Sequence, residues 1–152
     1  MSLDVDLRRS RAVLLGVSFF PRDPERLPPL PAVRTNLRDL ERALADPTIL
    51  GLDPRHIAVV DDRPASEMLS KLVEVADEAE DTLIVYYAGH GVPGSTNLYL
   101  TGTDSSERTI EFDGMPFDRL RRALNTSPAR KKVLILDCCY SGAFARGMMN
   151  RG

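Results

Sequence analysis

The chain has 152 residues, the size of one domain, and 43% of them are hydrophobic, enough to bury a core. Its formal net charge is −2 with both signs interspersed, which excludes an electrostatic drive toward nucleic acid or an anionic membrane. No apolar run nears the roughly 20 residues that span a bilayer, the polar start is no secretory signal, and the two cysteines are adjacent, a pair that bridges only with strain. A reducing cytoplasm fits best.

Residues 1–10 read as a polar, frayed lead-in. The apolar run Ala12 to Val17 predicts a buried first strand over residues 11–18. Residues 21–31 hold five of the eleven prolines, which excludes helix and central strand and predicts a surface loop. That loop is either a plain connection or, because it leaves the carboxyl end of the first strand, a wall of a substrate cleft. Val33, Leu37, Leu40 and Leu44 have the spacing of one helix face over residues 32–45, and Asp46-Pro47 stops that helix.

A short second strand over 56–60 precedes the charged turn Asp61-Asp62-Arg63-Pro64. Ser66 suits a helix N-cap, with Leu69, Leu72, Val73 and Ala76 as the buried face. A strand over 82–88 follows, then a small hairpin arm at 98–100. Next come a helix over 115–124 with Phe117, Leu120 and Leu124 inward, and a strand over 132–138. The alternation predicts an α/β fold: about four strands in a mostly parallel sheet, with right-handed crossovers placing helices on both faces.

Two of these strands run into reactive residues. Val133 to Leu136 leads to Asp137-Cys138-Cys139-Tyr140-Ser141-Gly142, and Leu83 to Ala88 leads to Gly89-His90-Gly91. Ligands bind at the carboxyl ends of parallel strands in open α/β sheets. If the two strands are neighbours, His90 and a thiol meet there, the minimal parts of a thiol nucleophile with its base. The flanking glycines would let the backbone approach a ligand or take positive φ. Successive strand residues face opposite ways, so Cys138 and Cys139 cannot both face His90. His56, the other histidine, opens a strand in a charged turn and reads as structural.

Residues 89–94 spell G-x-G-x-x-G, but a dinucleotide fingerprint needs a helix to open there, and a strand signal follows instead. The Cys-Cys pair lacks the spacing of a zinc site. No cofactor and no metal are expected.

YYAGHG followed by LDCCYSG, about 50 residues later, resembles the caspase-like cysteine peptidases, above all the bacterial caspase homologues and metacaspases. Their pattern is an apolar strand ending in His-Gly, then one ending in Asp-x-Cys-x-Ser-Gly. The likeness covers roughly residues 11–147 and implies a caspase-like three-layer sandwich, here its large-subunit portion, after the lead-in 1–10 and before a linker at 148–152. It implies a cysteine endopeptidase whose nucleophile lies two residues after the aspartate, Cys139. Cys138 is then a small buried apolar residue. His90 would be general base and acid, and the N–H groups of Gly91 and Cys139 the oxyanion hole. No third residue is evident; an orienting backbone carbonyl is one solution.

Asp137 is either a structural carboxylate holding loop N–H groups or the anionic wall of the pocket before the scissile bond. Metacaspases carry an acid here and cut after Arg or Lys; eukaryotic caspases carry a neutral residue and cut after Asp. A second acid that metacaspases often place on a helix is Asn36 here, with Arg34 and Arg38 close by. Basic specificity therefore rests on Asp137. Calcium dependence occurs among metacaspases, but Asp104 and Glu107 form no dense acidic loop and none is expected.

Folds of this type have six core strands, the last two after the cysteine, whereas 13 residues follow Cys139 here. The cysteine strand would be a bare edge, with Val133 and Ile135 or Leu134 and Leu136 uncovered. The expected partners are a protein or peptide substrate and a small-subunit segment or chain completing the sheet. Alone, the 152 residues should be poorly soluble or self-associated, and inactive. Arg146 and Arg151 would sit in a linker open to processing, unless the end is an arbitrary boundary. The resemblance implies a role in regulated proteolysis or defence. The alternatives are a catalytically silent caspase-like interaction module and a flavodoxin-like ligand-binding domain. Convergence of His90 and Cys139 discriminates the last.

Overall fold

The computed structural model describes residues 4–140, the last two by their backbone alone. Ser141, Gly142 and the expected linker with its arginines lie outside the described residues.

The core is built on β1 (Arg11–Gly16), where Ala12 to Leu15 are fully buried. It pairs in parallel with β2 (Ile57–Asp61) on one side and β3 (Thr82–Pro93) on the other. β6 (Lys131–Tyr140) pairs in parallel with the outer side of β3. Two short antiparallel strands extend the sheet: β4 (Leu98–Leu100) on the end of β3, and β5 (Met115–Pro116) on β4. The parallel order is therefore β2-β1-β3-β6.

Strand pleating divides the core. In β1 and β3 the odd positions Val13, Leu15, Leu83, Val85 and Tyr87 join the larger cluster, with α2 (Ala65–Glu78) and α4 (Phe117–Thr126). The even positions Ala12, Leu14, Tyr86 and Ala88 pack with α1 (Ala32–Ala45). The sheet thus lies between α1 and the α2–α4 pair, the three-layer α/β sandwich expected. No described helix is long and apolar enough to cross a membrane.

Several local expectations are corrected. The histidine strand runs on to Pro93, because β4 and β6 supply partners past the end of β1. Met115 belongs to β5 and is buried, so the last helix begins two residues later, at Phe117. α2 begins at Ala65, whose N–H donates to Asp104 Oδ1 at 3.3 Å; Ser66 is inside the first turn. The buried face of α2 is Ala65, Met68, Leu72, Val75 and Ala76, while Val73 is 43% exposed. The expected stripe holds at Leu72 and Ala76, and in part at Leu69, which packs half-buried against the same cluster; Val73 is turned outward, since α2 must touch both the sheet and α4. The described part of the lead-in, residues 4–10, is docked and not frayed: Asp6 N–H donates to the buried Asp81 carboxylate at 2.9 Å, and Ser10 is buried.

A one-turn helix, α3 (Ile110–Asp113), was not foreseen; it lies in the segment between β4 and β5. That segment begins hard against α2. A Cβ on Gly102 would meet Ala65 Cα at 2.8 Å and Pro64 C at 2.8 Å, backbone that cannot step aside. Gly102→Ala should therefore cost about 1–3 kcal/mol, and Asp104→Ala about 1 kcal/mol through the lost cap, both measured by urea unfolding. A Gly102→Ala protein as stable as the parent would refute this packing.

Candidate active site

α1 links β1 to β2 over one face, and α2 links β2 to β3 over the other. The switch point lies between β1 and β3, and the crevice beyond the strand ends there is where such sheets bind ligands. β1 stops pairing with β3 at Ala88, and His90 lies just beyond.

Register brings the two reactive positions together: His90 and Cys139 are Cα partners on β3 and β6, as are Ala88 and Asp137. The distance from the ring to the Cys139 sulfur lies outside the described residues. Cys138 is half-buried and packs against the larger core cluster, on the α2–α4 side.

His90 is buried at 8% exposure. Its ring tilts against Phe20, centroids 4.9 Å apart, and its Nε2 lies 2.8 Å from the Pro28 carbonyl oxygen. A carbonyl only accepts, so Nε2 carries the proton and the basic lone pair is on Nδ1. The main chain of His90 is held as firmly. Its carbonyl accepts from Thr101 N–H at 3.2 Å and Thr101 Oγ1 at 3.0 Å, and the buried Tyr87 hydroxyl shares its one proton between this oxygen at 3.2 Å and Thr101 O at 2.9 Å. Burial, the largest cause, pushes the Tyr87 phenol upward, so it remains a neutral donor. Gly89 is required beside it, since a Cβ there would run into the Tyr87 hydroxyl. Neither Gly89 nor Gly91 has positive φ. Gly91 stays within β3, opposite Leu100 and Tyr140.

Asp137 is exposed and accepts from the Tyr86 hydroxyl at 3.2 Å. Burial and the Asp137 charge push the Tyr86 phenol up to about 12, which keeps it the donor. The Asn36 side chain is exposed on α1 and makes no hydrogen bond among the described residues, to Asp137 or any other group. Arg34 pairs with Asp62 at 3.0 Å and Asp61 at 3.6 Å, beside the carboxyl end of β2. His56 sits at the opposite, amino edge in a cavity of about 460 Å³, its Nδ1 buried without a hydrogen-bond partner among the described residues.

Sequence reasoning missed Pro28, Phe20, Tyr87 and Thr101 around His90, and Tyr86 beneath Asp137. The tyrosine pair ahead of the histidine was the available signal: one phenol reaches each face of the sheet.

A second polar group shapes the crevice. Asp62, at φ 53°, is the one non-glycine residue with positive φ among those described. Its carboxylate accepts from Ser18 N–H at 2.6 Å, Ser18 Oγ at 2.7 Å and Arg34. Burial pushes it up, but the Ser18 donors and the Arg34 charge win and hold it below the usual carboxylate range. Burial and the neighbouring Asp62 charge raise Asp61 instead. A lowered folded value means Asp62 adds stability above the ordinary carboxylate range and loses it as acid titrates the folded form. Asp62→Asn should therefore lower the urea midpoint at about pH 7, with the gap to the parent narrowing toward about pH 3; a gap that widened in acid would contradict the assignment.

The caspase domain family model matches residues 9–151. Among solved structures, the chain is similar to protein GSU0716 from Geobacter sulfurreducens, at 18% identity and a TM-score of 0.63. That likeness covers 94% of this chain and 55% of the other, so this chain spans about half the length of that one. No curated protein matches.

Proposed function

The chain belongs to the caspase-domain family, and from that premise we propose that it is a cysteine endopeptidase working through Cys139 and His90. The observation that carries the reading is the register that makes these two positions partners on adjacent parallel strands, where β1 has ended. The fixed Nε2–H of His90, held on the Pro28 carbonyl, supports it by leaving Nδ1 as the base.

In this reading Nδ1 takes the Cys139 thiol proton, and the thiolate attacks the scissile carbonyl carbon. The oxyanion is met by the N–H groups of Gly91 and Cys139, on neighbouring strands one register step apart. Nδ1–H then protonates the leaving amine as the C–N bond breaks. Water, deprotonated by Nδ1, attacks the thioester, and Cys139 leaves as thiolate. The Pro28 carbonyl keeps the imidazole oriented and stabilises the imidazolium through its second N–H.

We propose further that Asp137 receives the Arg or Lys side chain before the scissile bond, with Tyr86 fixing the carboxylate from below. Asn36 would at most flank this pocket as a neutral group. The half-exposed Val133 and Ile135 support a small-subunit segment or chain covering β6, which has no second strand partner among the described residues. Cytoplasmic regulated proteolysis or defence is the role this reading assigns.

Treatment of the protein with an irreversible peptidyl-arginine electrophile, followed by mass mapping, should label Cys139. A protein that is never labelled and cleaves no peptide, even with a small-subunit segment covering β6, would leave the catalytically silent caspase-like module.

Cys139→Ala should abolish cleavage, whereas Cys138→Ala should keep it and cost roughly 1 kcal/mol of stability. The reverse pattern would assign the chemistry to the other thiol. Asp137→Asn should weaken cleavage after Arg and Lys by about 10-fold or more with little change in melting temperature, because a charge-assisted contact is lost. Preferred cleavage after Asp by the unmodified protein would refute this.

A further inference from the structure

We propose that Asp23, with Arg22 beside it, is a positioning residue for His90, acting through the proline-rich segment 20–31. The catalytic consequence rests on the peptidase reading above; the geometry does not.

The segment is a short strap that leaves the end of β1 and returns to it. Asp23 N–H donates to Phe20 O at 3.1 Å, Leu27 N–H to Asp23 O at 2.9 Å, and Leu30 N–H to Ser18 O at 2.7 Å. Phe20 and Leu27 are each 2% exposed, so its apolar side is locked into the core. Five prolines fix φ along it and leave few N–H groups to satisfy. Such a strap is stiff, and a shift at one point carries along it. The two groups that reach His90, the Phe20 ring and the Pro28 carbonyl, lie on either side of Asp23.

Arg22 and Asp23 tie the strap to the segment between β4 and β5. Half-buried Asp23 accepts the Glu107 N–H on Oδ2 at 2.9 Å, a charge-assisted bond. Arg22 donates to Asp104 O at 2.8 Å and to Asp113 Oδ2 at 3.2 Å. Asp113 is held in turn by Thr109 and by the main chain of Ser106. The same segment starts at Thr101, which grips the His90 carbonyl. The ring and the main chain of His90 are therefore referred to one frame, closed by Asp23 and Arg22. Without that closure the strap keeps its core anchors, but the Pro28 carbonyl loses its reference to the strand that carries the histidine. Misplacement of about 1 Å costs a reacting pair about 100-fold, so a partial shift should be visible in turnover.

The test compares Asp23→Ala, Asp23→Asn and Arg22→Gln in the full chain, with Arg55→Gln, at the opposite sheet edge, as control. Two readouts are needed. The first is the ¹⁵N spectrum of the imidazoles, with His56→Gln identifying the His56 signal. The second is the split of kcat from KM for an arginyl peptide.

Asp23→Ala should move the His90 Nε2–H signal and lower kcat about 10-fold or more, with KM changed less than about 3-fold. Asp23→Asn, which still offers an acceptor oxygen, should restore most of both. Arg22→Gln should act the same way but more weakly, because Arg22 is half exposed; if Asp23→Ala fails to fold, this variant carries the test. An unmoved His90 signal and unchanged kcat in the folded variants would overturn the proposal. So would a kcat loss that follows only the unfolded fraction. A moved signal in a protein that cleaves no peptide even with β6 covered by a small-subunit segment would remove the peptidase reading and keep the positioning role.

Discussion

The carboxylate of Asp62 ends β1. By taking both the N–H and the hydroxyl of Ser18, it turns the chain out of the sheet two residues after Gly16. β3 has no such stop, so its edge at Gly89 and His90 is left without β1 beside it. The strap from the end of β1 fills that gap, with the Phe20 ring and the Pro28 carbonyl against His90. A left-handed aspartate, a conformation that a short polar side chain tolerates, thus decides where the crevice opens and what lines it.

β3 then carries the burden of order. It is buried along nearly its whole length and pairs with β1, β4 and β6 in turn. Its two tyrosines divide the labour through the pleat. Tyr87 goes into the larger core and bonds the main chain of His90, while Tyr86 goes to the α1 face and bonds Asp137. A strand this fixed can hold a ring nitrogen to about half an ångström, as the proton-acceptor role proposed for His90 requires.

The parallel strands and α1 were legible because each has one clear signal: a continuous apolar run, or Val33, Leu37 and Leu44 at helical spacing. The pairing of β3 with β6 was only a condition in the sequence, since an apolar run marks a strand and not its partner; the register supplies it. The length of β3 was not legible. Gly89, Gly91 and Pro93 are poor strand formers, and only the partners β4 and β6 keep them extended. The face of α2 was ambiguous because its apolar residues populate two stripes, and tertiary contact chose between them. Around His90, an orienting main-chain carbonyl was one expected solution, but Pro28 as its source could not be read: a main-chain oxygen has no residue type to announce it. The docked lead-in was hidden likewise, since Asp6 contributes its N–H and not its side chain.

β6 differs from its neighbours in a way that bears on control. None of Lys131 to Cys138 is fully buried, and Val133 and Ile135 are 44% and 42% exposed on the side that α1 leaves uncovered. The strand that carries Cys139 is therefore held by one ladder and half a core, and such elements open sub-globally at less cost than the rest of a domain. Anything that binds the docked strand and not the open one raises the docked fraction by mass action. Covering β6 is then thermodynamically linked to presenting position 139 opposite His90. A second polypeptide on that edge would act as a ligand whose affinity is spent partly on assembling the site.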